Sequence, residues 1–597
     1  MRMRIFVGAL LASLVLAGVA SSAGLDNRRY MPLSEVRPGM SGVGKTTLVG
    51  SEIAEFEIVV LAVLKNVSPG RDLIMIRCRG AGLEETGVVA GMSGSPVYIG
   101  DRLVGAAAYA FQWSKAPIAG VQPIEQMLEV ADRSPPADRP PSARRADADP
   151  AVSIPASALG DAPAPVPGRE TFQMRSIRTP LMVSGASPRL LAHLGGQLAP
   201  FGLVPMQGGA APADLAAGAR LEPGAPLAVS LVRGDMDVTA MGTITEVAGD
   251  RVYGFGHPLI GLGEADYPLM TGVAQTVVPS LVASFRLGAP AKEVGRLLRD
   301  EETAVFGRLG DERAPMVPLC VTVRGPGAGE ERSSRYEVIR HRLFSPILAG
   351  AVTLNSLLVR SEWPIDHTVA YRVAVKPVGR EPIVHENFAV SPDGAMRVTA
   401  QVRSIVSLLM ENPFDPLAVE SIDVSAEVEP KSRLAAIEAA RLLTNAVRPG
   451  GAVAAELRIR PWRGEPFWMP LSVAVPGDYP EGAYRLTFCG ADEALRQEAR
   501  ETPARFSPRD IEGLLWVLRH DLARNQLFTR LEAPGEGLAV GDEELPNLPP
   551  SMRAILSDAA RLRVAGLRGS RVSAQAVPWV LSGEASLEVT VDRRAPP

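Results

Sequence analysis

The chain has 597 residues, 46% hydrophobic and 21% charged, values that exclude wholesale disorder and imply about four domains at roughly 150 residues each. Lys+Arg 62 against Asp+Glu 66 gives a net charge of −4, which argues against a nucleic-acid binder working through a large basic surface and shows no acidic tail. With 57 Gly, 52 Pro and only 5% aromatics, the chain calls for many turns and at least one linker.

Residues 1–23 carry Arg2 and Arg4 ahead of the apolar run 5–19. Small residues follow at Gly18-Val19-Ala20 and Ser21-Ser22-Ala23. This is the pattern of a secretory signal peptide, and the run is short for an uncleaved anchor of about 20 residues. The expectation is an exported protein, periplasmic or extracellular, with no stable membrane span after signal removal. Cys78, Cys320 and Cys489 are odd in number, so they cannot form a complete disulfide framework, and no Cys-x-x-Cys or His-x-x-x-His pair suggests zinc.

Residues 25–132 hold short β-type runs at 56–64, 73–78, 96–98 and 103–109, punctuated by Gly and Pro, which predict a small barrel or sandwich. A short helix is expected at 123–130. Residues 133–170, rich in Pro, Ala, Asp and Arg, read as a linker. A second unit at 171–332 has strand-like runs at 227–232, 238–244, 252–255, 277–285 and 316–323, with a short helix expected at 291–298. From 333 to 495 period-two runs, including 398–402, predict an immunoglobulin-like sandwich. Residues 432–446 have a helix-like composition. The mixed region 496–597 contains an amphipathic helix at 508–523, on which Ile511, Leu514, Leu515, Leu518 and Leu522 make one apolar stripe.

Gly39-Met40-Ser41-Gly42-Val43-Gly44-Lys45-Thr46 fits the phosphate-cradling pattern G-x-x-x-x-G-K-[ST]. That chemistry needs a strand before the loop and a helix after it. A polar, proline-containing stretch precedes this one and a β-type run follows, so a glycine-rich β-turn is the better reading and a nucleotide binder a remote alternative.

Gly91-Met92-Ser93-Gly94-Ser95-Pro96 is more informative. A nucleophilic serine needs an exposed Oγ on a tight turn and backbone N–H groups aimed where an oxyanion forms. Gly91 lets the backbone turn, making the Gly91 and Ser93 N–H groups the candidate donors. The null alternative is an ordinary Gly/Ser turn. Among His193, His257, His341, His367, His385 and His520, the base candidate is His257, which leaves a strand into the Gly/Pro turn Tyr253-Gly254-Phe255-Gly256-His257-Pro258.

The series Glu85-Thr86-Gly87, Gly91 to Pro96, Leu103-Val104-Gly105-Ala106 and Pro123-Ile124-Glu125-Gln126-Met127-Leu128 resembles the serine-bearing segment of the SpoIVB-type serine peptidases. In the second unit, 227–233, Met241-Gly242-Thr243-Ile244, 253–257 and Phe306-Gly307-Arg308-Leu309-Gly310 resemble further elements of that family. The resemblance covers about 39–132 and 225–312. It implies a mainly β fold with a trypsin-like double β-barrel core, no cofactor or metal, and serine endopeptidase chemistry on a protein or peptide substrate, this chain itself being one candidate. By position, Ser93 carries over as nucleophile and His257 as base. Here the serine segment precedes the histidine segment, the reverse of the sporulation protease, and no PDZ-like unit is apparent. The family's aspartate before E-T-G is matched by Arg79, so the orienting carboxylate is unassigned: Asp72 is the nearest upstream candidate, with Asp235, Asp237 and Asp266 as others. The rival reading, which Arg79 favours, is a non-catalytic cell-envelope scaffold retaining the peptidase fold.

Overall fold

The computed structural model describes residues 25–111, 114, 116–133, 152–155, 171–281, 283–325, 331–358, 363–532, 537–540, 543–545, 548–557, 564–567 and 570–595. The signal peptide expected at 1–23 and most of the linker expected at 133–170 lie outside them. No helix among the described residues is long and apolar enough to cross a membrane.

The molecule is mainly β. Its first unit uses β1 (Ser41–Thr47), β2 (Ile53–Ser68), β3 (Arg71–Arg79), β4 (Ser95–Ile99), β5 (Arg102–Phe111) and β6 (Ile118–Pro123). They pair antiparallel in the order β4-β1-β2-β3-β6-β5, and a β4–β5 ladder closes the circuit into a barrel. Burial explains the strand types. β2 alternates buried and exposed positions, whereas β5 is buried from Leu103 to Tyr109, because one face fills the barrel and the other meets the second unit. The helix expected at 123–130 is present as Ile124–Leu128 followed by a 3-10 turn. The segment Gly39 to Thr46 forms no phosphate cradle: Ser41 to Thr46 is strand β1, laddered on β2.

β7 (Val152–Pro155) and β8 (Thr171–Ser176) extend the first sheet from β5. The second sheet begins with β9 (Thr179–Ser184) and β10 (Leu203–Gln207). It continues with β11 (Pro226–Gly234), β12 (Asp237–Ala248), β13 (Arg251–Gly254), β14 (Gly263–Val278), β15 (Phe285–Glu301) and β16 (Ala304–Leu309). The last six pair antiparallel as β12-β13-β16-β15-β14-β11, and a β11–β12 ladder closes this circuit too. Two six-stranded barrels therefore form the core. The helix expected at 291–298 is absent, since those residues lie inside β15, committed by its long ladder with β14.

The second sheet runs on through β17 (Met316–Arg324) and β18 (Glu331–Ile339) to β19 (Thr368–Pro377), β20 (Ile383–Val390) and β21 (Val419–Glu429). Helices Phe344–Leu358 and Gly394–Met410 cover it. Residues 398–402, expected as strand, are helical: buried Val398, Val402, Ile405, Val406 and Leu409 recur at three- and four-residue spacing, the period of a helix face. The two-sheet packing expected over 333–495 is found instead between 434 and 591. There Phe467–Ala474, Ala452–Pro461, Leu434–Leu442 and Val580–Ser582 form one sheet, and Ala446–Val447, Glu584–Val591, Gly482–Cys489, Gln526–Glu532 and Ser570–Ala576 the other, around a shared core. Leu434–Leu442 is a strand despite its alanine-rich, helix-favouring composition, because it ladders with Ala452–Pro461. The helix expected at 508–523 runs Ile511–Arg519, with Asp510 as N-cap accepting from the Gly513 N–H at 2.7 Å.

Candidate active site at the barrel interface

Ser93 sits in the turn that enters β4, and His257 in the turn that leaves β13. The two turns belong to different barrels, yet the backbone joins them. The Thr243 N–H on β12 donates to the Ser93 carbonyl at 2.8 Å, Thr245 Oγ1 donates to the Gly94 carbonyl at 2.7 Å, and Thr243 Oγ1 donates to the Gly91 carbonyl at 3.1 Å. Gly94 has φ +97°, and a Cβ there would lie 2.1 Å from the Thr243 carbonyl oxygen and 2.5 Å from the Phe255 nitrogen. Only glycine permits both the turn and this approach. On the other side Gly256 seats against β5, where an added Cβ would stand 2.9 Å from Ala108 Cβ and 3.0 Å from Ala106 Cβ. Ser93 and His257 are both buried, at 0% and 2% exposure.

The peptide planes around Ser93 are fixed by their carbonyls. The Ala90 carbonyl accepts from the Arg286 N–H at 2.9 Å, and the Met92 carbonyl accepts from the Ser95 N–H at 3.0 Å and Ser95 Oγ at 2.6 Å. In a trans peptide the N–H points opposite its C=O, so these bonds aim the Gly91 and Ser93 N–H groups to the other side of the turn. Among the described residues neither N–H meets an acceptor, and Ser93 Oγ is buried with no hydrogen-bond partner. A buried hydroxyl beside two unpaired donors is costly unless a reacting group completes the set.

Two residues that sequence reasoning missed hold this arrangement. Arg286, on β15 and 1% exposed, bridges the barrels: Nη2 donates to the Gly91 and Gly242 carbonyls, each at 2.6 Å, and Nη1 to the Thr47 carbonyl at 2.7 Å. Burial pushes its pKa down to about 10, so it remains a cation at neutral pH. Asp300, 2% exposed, accepts from the N–H groups of Leu259 (2.7 Å), Ile260 (2.7 Å) and Gly261 (2.8 Å), and so clamps the loop immediately after His257. Burial raises its pKa to about 6 against the pull of those three donors. In the sequence Arg286 merely follows the strand-like run 277–285 and Asp300 the helix expected at 291–298, which marks neither as part of a site without the fold.

His257 Nδ1 lies 2.8 Å from the Pro258 carbonyl oxygen. The carboxylates considered for orienting it are engaged as follows. Asp72 Oδ1 accepts from the Asn66 N–H at 2.7 Å and Oδ2 from Gln126 Nε2 at 3.4 Å, and Gln126 Oε1 in turn accepts from Gln122 Nε2 at 2.6 Å. Gln122 is fully buried and directly opposite Ala106 in the β5–β6 ladder, hence on the face where Gly256 seats. Asp235 accepts from the Arg335 N–H, Asp237 from Ser184 Oγ, and Asp266 pairs with Arg296. Arg79 is exposed at the end of β3. The other histidines pack elsewhere. His341 is driven down to about 4 by burial, His385 and His520 contact the helix Ile511–Arg519 and its flank, His193 lies on the helix Pro188–Leu198 beside Gln197, and His367 bonds the Pro364 carbonyl. The three cysteines are free thiols. Among the described residues no cluster of His, Cys, Asp or Glu is placed to hold a metal ion.

Residues 29–128 match the model of the SpoIVB peptidase S55 family. The SpoIVB-type resemblance read from the motifs is thereby supported, and the matched span covers the first barrel with Ser93. It stops short of the second barrel, so the S55 match does not extend to His257. No curated protein and no solved structure matches the chain.

Proposed function

We propose that the protein is an exported serine endopeptidase, acting in the periplasm or outside the cell on a protein substrate, itself included. The observation that carries this is the turn 91–94: a buried Ser93 Oγ without a partner, flanked by two N–H groups with fixed direction and no acceptor, on the S55-type barrel. Ser93 Oγ attacks the peptide carbonyl carbon while His257, whose Nε2 makes no hydrogen bond to Ser93 Oγ in the resting site, closes on the hydroxyl and takes its proton, and the Gly91 and Ser93 N–H groups hold the oxyanion. The C–N bond then breaks, the imidazolium returns the proton to the leaving amine, and water releases the acyl-enzyme by the same two steps in reverse roles. Asp72, the upstream carboxylate candidate, is bonded to the Asn66 N–H and Gln126 and has no role assigned in this scheme. No metal or organic cofactor takes part in this scheme. The sheets at 434–591 would position the partner.

The test is labelling by a peptidyl phosphonate, which captures an activated serine. The wild-type mature chain is expected to label at Ser93, and Ser93→Ala and His257→Ala to lose labelling and cleavage completely. Complete burial of Ser93 favours one second reading, a scaffold that keeps the peptidase fold. On that reading the wild type does not label and Ser93→Ala retains whatever the protein does in the envelope.

A further inference from the structure

A cavity of about 180 Å³ opens beside the serine turn. Its floor is the segment leading to Ser93, with Thr86, Gly87, Val88 and Ala90 in the lining, and its apolar wall comes from Ala110, Phe111 and Ile118 of the first barrel. The opposite wall comes from Ser280, Leu281, Ala283 and Ser284 of the second barrel. That wall is bound to the floor, since Ser284 Oγ donates to the Thr86 carbonyl at 2.6 Å and the Ala90 N–H donates to the Ser284 carbonyl at 2.8 Å. Leu281 stands at the rim, 98% exposed. Among the described residues the charged side chains lining the cavity are Arg175 and Arg178, both exposed, and no carboxylate lines it. Arg175 lies directly opposite Ala110 in the β5–β8 ladder, so its side chain leaves the sheet on the cavity face.

We propose that this cavity is the specificity pocket of the peptidase and that it selects an acidic side chain on the residue whose carbonyl is attacked. The inference rests on the peptidase reading and names its substrate class. Ala90, which lines the cavity, immediately precedes the oxyanion donor Gly91 in the chain, and on that adjacency the side chain adjoining the attacked carbonyl is assigned to the cavity. Thr86, Gly87 and the aliphatic wall accommodate the methylenes of a Glu, and the guanidinium pair meets the carboxylate at the rim, where arginine's planar donors match its two oxygens. A Lys in the same place would meet two like charges.

The experiment compares three peptidyl phosphonates carrying Glu, Leu or Lys at the position next to phosphorus, on the full mature chain. The wild type is expected to be labelled by the Glu probe at least tenfold faster than by the Lys probe. Arg175→Glu with Arg178→Glu is expected to invert that order. Both positions are exposed, so the thermal unfolding midpoint should not move. Labelling of the wild type at equal rates by all three probes, or a preference that survives the double charge reversal, would overturn the pocket assignment and leave the peptidase reading standing. Failure of every probe on the wild type would overturn the peptidase reading and the pocket with it.

Discussion

Asp300 shows how one side chain can govern a turn it does not belong to. Its two oxygens satisfy three consecutive N–H groups in the loop that follows His257. Asn offers a single acceptor oxygen, so Asp300→Asn leaves buried donors unpaired, at about 1–3 kcal/mol each. The expected outcome is a phosphonate labelling rate at least tenfold lower with the chain still folded. The pH behaviour has a definite sign. The folded carboxyl, at about 6, lies above its unfolded value near 3.8, so the unfolded chain releases the proton first. The contribution of Asp300 to stability is therefore full below about pH 4 and falls as pH rises to about 6, by about 3 kcal/mol in total. Urea unfolding between pH 4 and 6 should show this slope in the wild type and lose it in Asp300→Asn. Arg286 works in the same manner on the other turn: a cation surrounded by three backbone carbonyls fixes the Gly91 peptide without any carboxylate to neutralise it.

At the level of elements, the helix Ile511–Arg519 is too short to persist alone and owes its place to its contacts with β20. Leu514, Leu515 and Leu518 enter the core, and His385 on β20 bonds the Leu518 carbonyl at 2.5 Å and faces Asp521 at 3.4 Å. Burial alone would lower the His385 pKa, but the Asp521 carboxylate and the Leu518 carbonyl outweigh it, and the net shift is upward. A raised histidine stabilises most when protonated. This docking contribution is thus fully present below about pH 6.5 and is lost as pH rises through the folded pKa. Amide protection in 511–519, taken relative to intrinsic exchange at each pH, should be lower at pH 8.5 than at pH 6, and Asp521→Asn should abolish most of that difference. The helix itself is legible from its apolar stripe, and the structure assigns Asp510 as its cap. Residues 291–298, 398–402 and 434–442 were misread because composition and short alternation are weak signals. A long hairpin partner, a helical burial face and a neighbouring strand, respectively, decide those segments.

For the whole molecule, the site exists only where two closed barrels touch. Gly94 on one barrel and Gly256 on the other are the points of closest approach. Gly94→Ala would place a methyl 2.1 Å from the Thr243 carbonyl oxygen, in a backbone conformation that L-residues avoid. The barrels must then separate locally. We expect complete loss of Ser93 labelling and a destabilisation of about 3 kcal/mol or more, read from the urea midpoint. Ala274 and Gly50 exchange two backbone bonds across the same seam, at 2.6 and 2.9 Å, and Arg29 pairs with the buried Glu246. The seam is therefore specified by directional bonds as well as by apolar contact.

The sequence alone pointed to the β-rich core, the serine turn with its two candidate donors, and the SpoIVB-type resemblance that the family match over 29–128 supports. All of these reside in contiguous residues, where propensity and spacing operate. The tertiary structure decided what contiguous residues cannot encode. It brought Thr243 of the second barrel onto the Ser93 carbonyl, and it placed Arg286 and Asp300 behind the two turns. It also linked Asp72 through two glutamines to the buried face of β6 and formed a cavity from strands and a turn more than 100 residues apart. The physical reason is that hydrogen-bond direction and the desolvation of buried charge depend on which segments meet. That meeting is settled by closing two sheets against each other, and no local stretch of the chain contains it.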